Sequence, residues 1–449
     1  MSFPQKRESR LIALETYYDK MMDSCWSLSR TAMRGRNDER VGLIKLRQGL
    51  MMNPSDFKVP GFLFSGISAG IKKNGKRDLG LIYSQVPAQV AGLFTTNAVK
   101  AAPVLLDKER MKGGCCQAVV INSGNANACT GSEGLRNAKK ATSLVARGLG
   151  IKESLVLASS TGVIGVPLPM ERMEEGIPRL IEALSPDGWM ETVEAIMTTD
   201  TYPKVETVNC RIRGKSVKIC GMVKGAGMIR PNVATMLSFV VTDANIKAPL
   251  LQQILDVVAE DSYNRITIDG ETSTNDTVLL LANGKSGHPP ISRMDRDGAL
   301  FQFRLLEVCR NLAKSVVRDG EGATKFVEIL VKGARTREDA KRAAYAIAHS
   351  PLVKTAFFGM DANWGRILCA IGHSGIRIDP NRIDVLFDRM PIVKNGMGVG
   401  GPLEVKAAEV IKNKSFKVTV HLHQGKSEFS VFTTDLSLDY VKINASYRS

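Results

Sequence analysis

The stretch KGAGMIRPNVATMLSFVVTDA (Lys224–Ala244) sets a loosened loop directly against an apolar strand. Met236 to Val241 carries β-branched and aromatic residues with almost no polarity, the pattern of a strand buried in a sheet. Gly225, Gly227 and Pro231 make the chain before it turn-rich. Thr235 therefore stands where a loop enters a rigid strand, behind Ala234 with its single methyl group. Taken alone, such a threonine reads as a β-branched residue filling a strand start.

Working outward, short strands and helices alternate without a regular βαβ rhythm. DLGLIYSQ, AGLFTTNAV and SLVLAS read as strands, and TVNCRIRGKSVKICGMV as a hairpin. GLRNAKKATSLVARGLG, MERMEEGIPRLIEAL, Ala248–Ser262 and ALFQFRLLEVCRNLAKSVV read as helices, as does TREDAKRAAYAIAHS, opened by a Thr336/Asp339 capping box. The expected fold class is mixed α/β (α+β): mixed sheets with helices packed outside, rather than a doubly wound sheet. Internal repeats and low-complexity segments are absent from the sequence.

With 449 residues, 44% of them hydrophobic, and a mean hydropathy of −0.06, the composition is that of a globular enzyme. No run approaches the ~18 apolar residues of a membrane span, and the expected location is cytoplasmic. The net charge of +16 comes from scattered Lys and Arg, with no interleaved aromatic stripe, so a small anionic substrate is favoured over nucleic acid. Cys25, Cys115, Cys116, Cys129, Cys210, Cys220, Cys309 and Cys369 form no C-x-x-C pair. They read as reduced thiols, and with scattered histidines they offer no metal site. Residues 1–52 form an extension of unknown role, too acidic for a usual transit peptide.

Three loops carry candidate chemistry. Gly396, Gly398 and Gly401 spell GxGxxG, but fewer than fifty residues follow. That is too few for a dinucleotide-binding half, so the motif reads as a structural turn. In LASSTGVIGVPL (Leu157–Leu168), a strand ends in small hydroxyl residues and a glycine. The Thr161 hydroxyl and Gly162 N–H can then point together into a cleft, the equipment of an oxyanion hole. DGEGATK (Asp319–Lys325), on its own, is a plain acidic turn.

KGAGMIRPNVATML resembles the autoprocessing motif of the ornithine acetyltransferase (glutamate N-acetyltransferase) family of arginine biosynthesis. FSGISAGIKKNGKRDLGLI, FTTNAVKAAPV, INSGNANACTG, SSTGVIG, IMTTDTYPK, DGETSTNDT, DGEGATKF and the terminal YVKINASYRS resemble its other signature stretches, in the family's order, from about Gly61 to Ser449. Ala226 and Val233 depart conservatively, where the family often has Ser and Met or Leu. The resemblance implies a DmpA/ornithine-acetyltransferase-like fold cut between Ala234 and Thr235. The products would be an alpha chain (53–234) and a beta chain (235–449), associated as an alpha2beta2 heterotetramer.

The implied chemistry is coherent. Attack by the Thr235 hydroxyl on the Ala234 carbonyl gives an ester that hydrolyses. The freed α-amino group, with an ordinary pKa of about 7.7–8, is a suitable general base for its own Oγ. Thr235 would then carry an acetyl group from N2-acetylornithine to glutamate. The resemblance assigns Thr161 and Gly162 to the oxyanion, and Thr198, Lys224, Thr235, Glu321, Asn444 and Ser449 to substrate. These types suit two α-amino acids: Lys224 for a carboxylate, Glu321 for an ammonium, the others for neutral hydrogen bonds. No cofactor is required, and acetyl-CoA as a second donor is left open. Two other readings stand beside this one: an N-terminal-nucleophile aminopeptidase of the same fold, and a non-enzymatic basic binding protein.

Overall fold

The computed structural model describes residues 44–45, 51–52, 54–230 and 236–446. The expectations placed on Ala234, Thr235 and Ser449 lie outside the described residues, as do those on most of the N-terminal extension. The chain divides after Ile44, and the fold described lies in the unit Lys45–Ser449.

Its first half contains β1 (Phe62–Ile67), β2 (Leu79–Phe94), α1 (Ala102–Arg110), β3 (Cys115–Asn125), α2 (Gly131–Leu149) and β4 (Val156–Val163). Next come α3 (Met170–Glu182), α4 (Trp189–Ile196), the hairpin β5 (Lys204–Ile212) and β6 (Lys215–Lys224), then β7 (Leu237–Thr242), α5 (Ala248–Glu260), β8 (Thr277–Ala282) and α6 (Arg296–Arg318). Eight strands join in the order β4-β3-β2-β8-β7-β6-β5, with β1 alongside β2. Pairing is mixed: β3–β4 and β7–β8 are parallel, the other neighbours antiparallel.

One correction concerns β2. DLGLIYSQ and AGLFTTNAV read as two strands, but Leu79–Phe94 is a single 16-residue strand. Its register with β3 shifts between Tyr83 and Ala88. The first part carries β1 and β3, the second part carries β8. Strand β2 thus passes from one β-layer to another, and alternation along each strand supplies two faces. Ile82, Val119 and Ile121 share an inner core with Leu237, Phe239, Val241, Leu279 and Leu281. Leu81 and Val120 turn outward onto α2 and α3. Val240, Val278 and Leu280 turn outward onto α5 and α6. The result is two β-layers between two helical layers, which explains why β7 reads as an apolar run with almost no polarity. Phe239, wholly buried in that inner core, contributes about 3–5 kcal/mol relative to alanine at a site that cannot collapse.

The second half contains β9 (Phe326–Ala334), α7 (Arg337–Ala348), α8 (Pro351–Phe358), α9 (Trp364–Gly372), β10 (Asp384–Phe387), β11 (Met390–Lys394), β12 (Met397–Gly398), α10 (Gly401–Ile411), β13 (Ser415–His421), β14 (Ser427–Thr434) and α11 (Leu438–Ser446). Its sheet runs β12-β11-β10-β13-β9-β14. The Thr336 cap forms as expected, its side chain accepting from Asp339 N at 3.0 Å. The GxGxxG stretch is a turn: Gly396 has φ +76°, and a Cβ there would lie 2.1 Å from Pro380 O. No described helix is long and apolar enough to cross a membrane.

Candidate active site

The site forms where β4 and β6 end and β7 begins. Strand β4 runs through Thr161 and Gly162, further than the sequence suggests. Ser160 Oγ donates to Asn122 Oδ1 at 2.6 Å, and Asn275 Nδ2 donates to Ser160 O at 2.8 Å and Ala126 O at 2.6 Å. These bonds hold the backbone on which Thr161 and Gly162 sit. Gly162 has φ +134°, and a Cβ would fall 2.4 Å from the Gly124 carbonyl carbon. Only glycine fits.

Lys224, the last residue of β6, is 5% exposed, and Thr161 is 8% exposed. Lys224 Nζ donates to Thr161 Oγ1 at 3.1 Å. A hydroxyl that accepts from an ammonium keeps its own proton for another acceptor, which is what an oxyanion needs. Burial lowers the Lys224 ammonium below the ordinary lysine value, while the Asp200 carboxylate opposes that shift.

Asp200 accepts from Lys204 Nζ at 2.5 Å, Gly225 N at 2.8 Å and Thr198 N at 2.9 Å. Burial pushes its carboxyl up, but Lys204 and Lys224 outweigh that and hold it well below the carboxylate range. Lys204 is also bonded to Asp319 Oδ2 at 2.6 Å, completing a buried triad. Thr198 is thereby fixed beside the loop that starts at Gly225.

Glu321 reaches the same loop from the second half of the unit. Its N–H donates to Ala226 O at 2.7 Å, and a Cβ on Gly227 would lie 2.4 Å from its Oε2. Asn444, on α11, donates from Nδ2 to Glu321 Oε2 at 2.9 Å. Asp269 accepts from Met228 N at 2.6 Å, Ile229 N at 2.9 Å and Tyr440 Oη at 3.2 Å. Met228 is held at φ +58°, an uncommon backbone for a side chain of its size.

Thr161, Gly162, Thr198, Lys224, Glu321 and Asn444 therefore cluster around one loop, Gly225–Arg230. The sequence reading misses several groups that complete the cluster. Lys72 donates from Nζ to Met197 O at 2.7 Å, next to Thr198, and burial lowers it to about 8. Asp200, Asp269 and Asp276 are missed as well, although each lies inside a quoted stretch. A carboxylate's burial and partners have no signature in the one-dimensional text.

A hydroxyl and a glycine at one strand end, a buried cation and a carboxylate facing a strained loop are groups that an acyl-transfer enzyme on a mixed α/β scaffold uses. A profile described as the ArgJ family matches residues 63–449. The arginine biosynthesis bifunctional protein ArgJ of Geobacter sulfurreducens is 54% identical over 391 residues, covering 87% of this chain and 100% of that protein. Its counterpart in Syntrophotalea carbinolica is 52% identical over 394 residues, again 87% and 100%. A crystal structure of the arginine biosynthesis bifunctional protein argJ from Bacillus halodurans is 43% identical, with 47% of this chain and 100% of that one covered, at a TM-score of 0.45. The chain belongs to the ArgJ family, and it is a transferase.

Proposed function

We propose that the chain cuts itself between Ala234 and Thr235 and then transfers an acetyl group from N2-acetylornithine to glutamate through an ester on Thr235. The observation that carries this reading is the Lys224–Thr161 contact beside Gly162, at the mouth of the loop that leads to Thr235. In the first step Thr235 Oγ attacks the Ala234 carbonyl, and the N–C bond breaks. Water then releases the fragment 1–234. In the first transfer step the freed amine takes the Oγ proton and passes it to the departing ornithine amine; in the second it takes a proton from the attacking glutamate amine and returns it to the departing Oγ, and in both Thr161 Oγ1 and Gly162 N–H receive the oxyanion. Lys224 faces a substrate carboxylate, and Glu321, oriented by Asn444, holds a substrate ammonium. Thr198 and Ser449 supply neutral hydrogen bonds.

The two fragments would remain associated, because β6 and β2 of the first pair with β7 and β8 of the second in one sheet; an alpha2beta2 assembly in the cytoplasm follows from the family resemblance. The reaction requires no metal or redox cofactor, and acetyl-CoA would serve as a second donor. Three measurements test the reading: intact mass of active protein, N-terminal sequencing, and mass spectrometry of an acetyl-Thr235 peptide after mixing with N2-acetylornithine alone. Two fragments, a new Thr235 terminus and an acetylated peptide are expected. One uncut 48.9 kDa chain with full activity would refute it. Acetate release without transfer to glutamate would favour the aminopeptidase-like alternative.

A further inference from the structure

A cavity of about 650 Å3 opens along one face of α7, and the chemistry above does not use it. Lys341, Arg342, Tyr345 and His349 line it at helical spacing. Arg230, the start of α8 at Pro351–Leu352 and the turn His373–Ser374 after α9 supply the other walls. Three side chains of fixed positive charge, Arg230, Lys341 and Arg342, thus share the cavity with one carboxylate, Glu338. Lys341 Nζ already has a partner in Glu260 Oε1 at 3.0 Å. Arg230 and Arg342 form no ion pair among the described residues. The Arg342 guanidinium lies over Gly375, where a Cβ would come within 2.5 Å of Nη2, so the turn after α9 leaves room for it.

The walls are fixed by bonds that leave particular atoms over. Thr267 Oγ1 gives its one proton to Ile229 O at 2.9 Å, so its 3.0 Å contact with His349 Nε2 is donated by the imidazole. Burial keeps that ring neutral at pH 7, and Nδ1 is left as an acceptor. His373 Nδ1 donates to Cys369 O at 3.1 Å, which leaves its Nε2 over. Tyr345 Oη donates to Asn264 O at 2.5 Å and holds the ring against α7. Ser350 Oγ accepts from Val353 N at 3.3 Å and keeps its own proton to give. Leu352, beside it, is 60% exposed. Walls held in this way cost little ordering when a ligand arrives.

We propose that this cavity binds a phosphate ester of nucleotide size: Arg230 and Arg342 take the phosphate oxygens, His349 Nδ1 accepts from a ligand hydroxyl, and Pro351 and Leu352 cover the ligand's ring. Two guanidiniums without counter-ions match the paired oxygens and near-double charge of a phosphate better than the single charge of a carboxylate. The volume argues for more than an inorganic ion, because cavities of this size enclose ligands with an apolar body and a few polar groups. An acceptor nitrogen on the wall suits a hydroxyl of the neutral part, since it would repel an anionic oxygen. Binding forms no covalent bond and does not depend on the proposed Thr235 chemistry.

The test is titration calorimetry on the full-length protein with ADP, inorganic pyrophosphate, adenosine and glutarate as probes. ADP should bind with a Kd of about 10–100 μM, pyrophosphate about tenfold more weakly, and adenosine and glutarate more weakly still. Arg342→Met, at an exposed position of α7, should weaken ADP by about tenfold or more, as when a charge-assisted bond is lost. The same variant should keep its circular dichroism and its transfer rates within about twofold, since Arg342 is bonded to none of the groups around Lys224 and Thr161. Lys224→Met should leave ADP binding unchanged. No binding of ADP up to about 5 mM overturns the proposal. So does an ADP affinity that survives Arg342→Met but falls with Lys224→Met, which would move the ligand to the transfer site. Pyrophosphate binding as tightly as ADP would refute the nucleotide size, and glutarate doing so would refute the phosphate.

Discussion

Lys224 Nζ and Thr161 Oγ1 meet at 3.1 Å in the interior, joining the ends of two strands 63 residues apart in sequence. Lys224→Met keeps the stem and removes the cation, and Asp200 retains Lys204 as its partner. Folding should therefore be retained. Turnover of N2-acetylornithine and glutamate should fall by about 10²-fold or more, as when an oxyanion donor is lost. Circular dichroism with steady-state kinetics checks both halves; unchanged kcat/KM would exclude this contact from the chemistry.

The Lys204 triad is a stability element next to the site. Lys204→Met would leave Asp200 and Asp319 facing each other in the interior without their shared cation. Breaking a buried pair in this way costs roughly 3–5 kcal/mol. Urea unfolding should register a loss of that order. The double variant Lys204→Met/Asp319→Asn should recover part of it, since only one carboxylate then lacks the ammonium.

His349 should make the fold acid-sensitive. Its Nε2 lies 3.0 Å from Thr267 Oγ1, which in turn donates to Ile229 O at 2.9 Å, and it lines a cavity of about 650 Å3 beside Arg230. Burial, with help from Arg230 and Lys354, lowers the imidazole to about 4. The unfolded chain binds a proton there below about 6.5, while the folded chain resists until about 4. Stability from this group is complete above pH 6.5 and is lost as pH falls from 6.5 towards 4, by at most about 3 kcal/mol. Melting curves across that window should slope less for His349→Gln than for the wild type.

At the C-terminal end, Asn444 orients Glu321 through a bond to a charged acceptor. Such bonds contribute roughly 1.5–3 kcal/mol, so Asn444→Ala should lower kcat/KM for both amino acids by about 10- to 100-fold. Deleting residues 447–449, or fusing a tag directly after Ser449, should do likewise. Self-cleavage should survive each change, because the loop from Lys224 and the β4 donors suffice for it. SDS gels of the purified variants read cleavage, and initial rates read transfer.

Much of this was present in the text of the chain. The near-continuous apolar run before Thr242, interrupted only by Ser238, marked β7 as a strand buried on both faces, because period-2 alternation vanishes when neither face meets water. The small residues of SSTGV and KGAG marked backbones that must take unusual angles, and Gly162 at φ +134° and Gly225 at φ +153° do so. Thr161, Gly162, Lys224, Glu321 and Asn444 were legible because their neighbours in sequence carry the family's motifs. What local sequence could not determine is anything that depends on distant partners. Whether β2 was one strand or two depended on which strands it pairs with in each layer. Asp200 could be known as an anion held by two lysines, and Asp276 as a carboxyl that burial raises against the pull of Lys224, only once strands far apart in sequence had been brought together. The charge state of a buried group is set by everything packed around it, and that environment exists only in the folded chain.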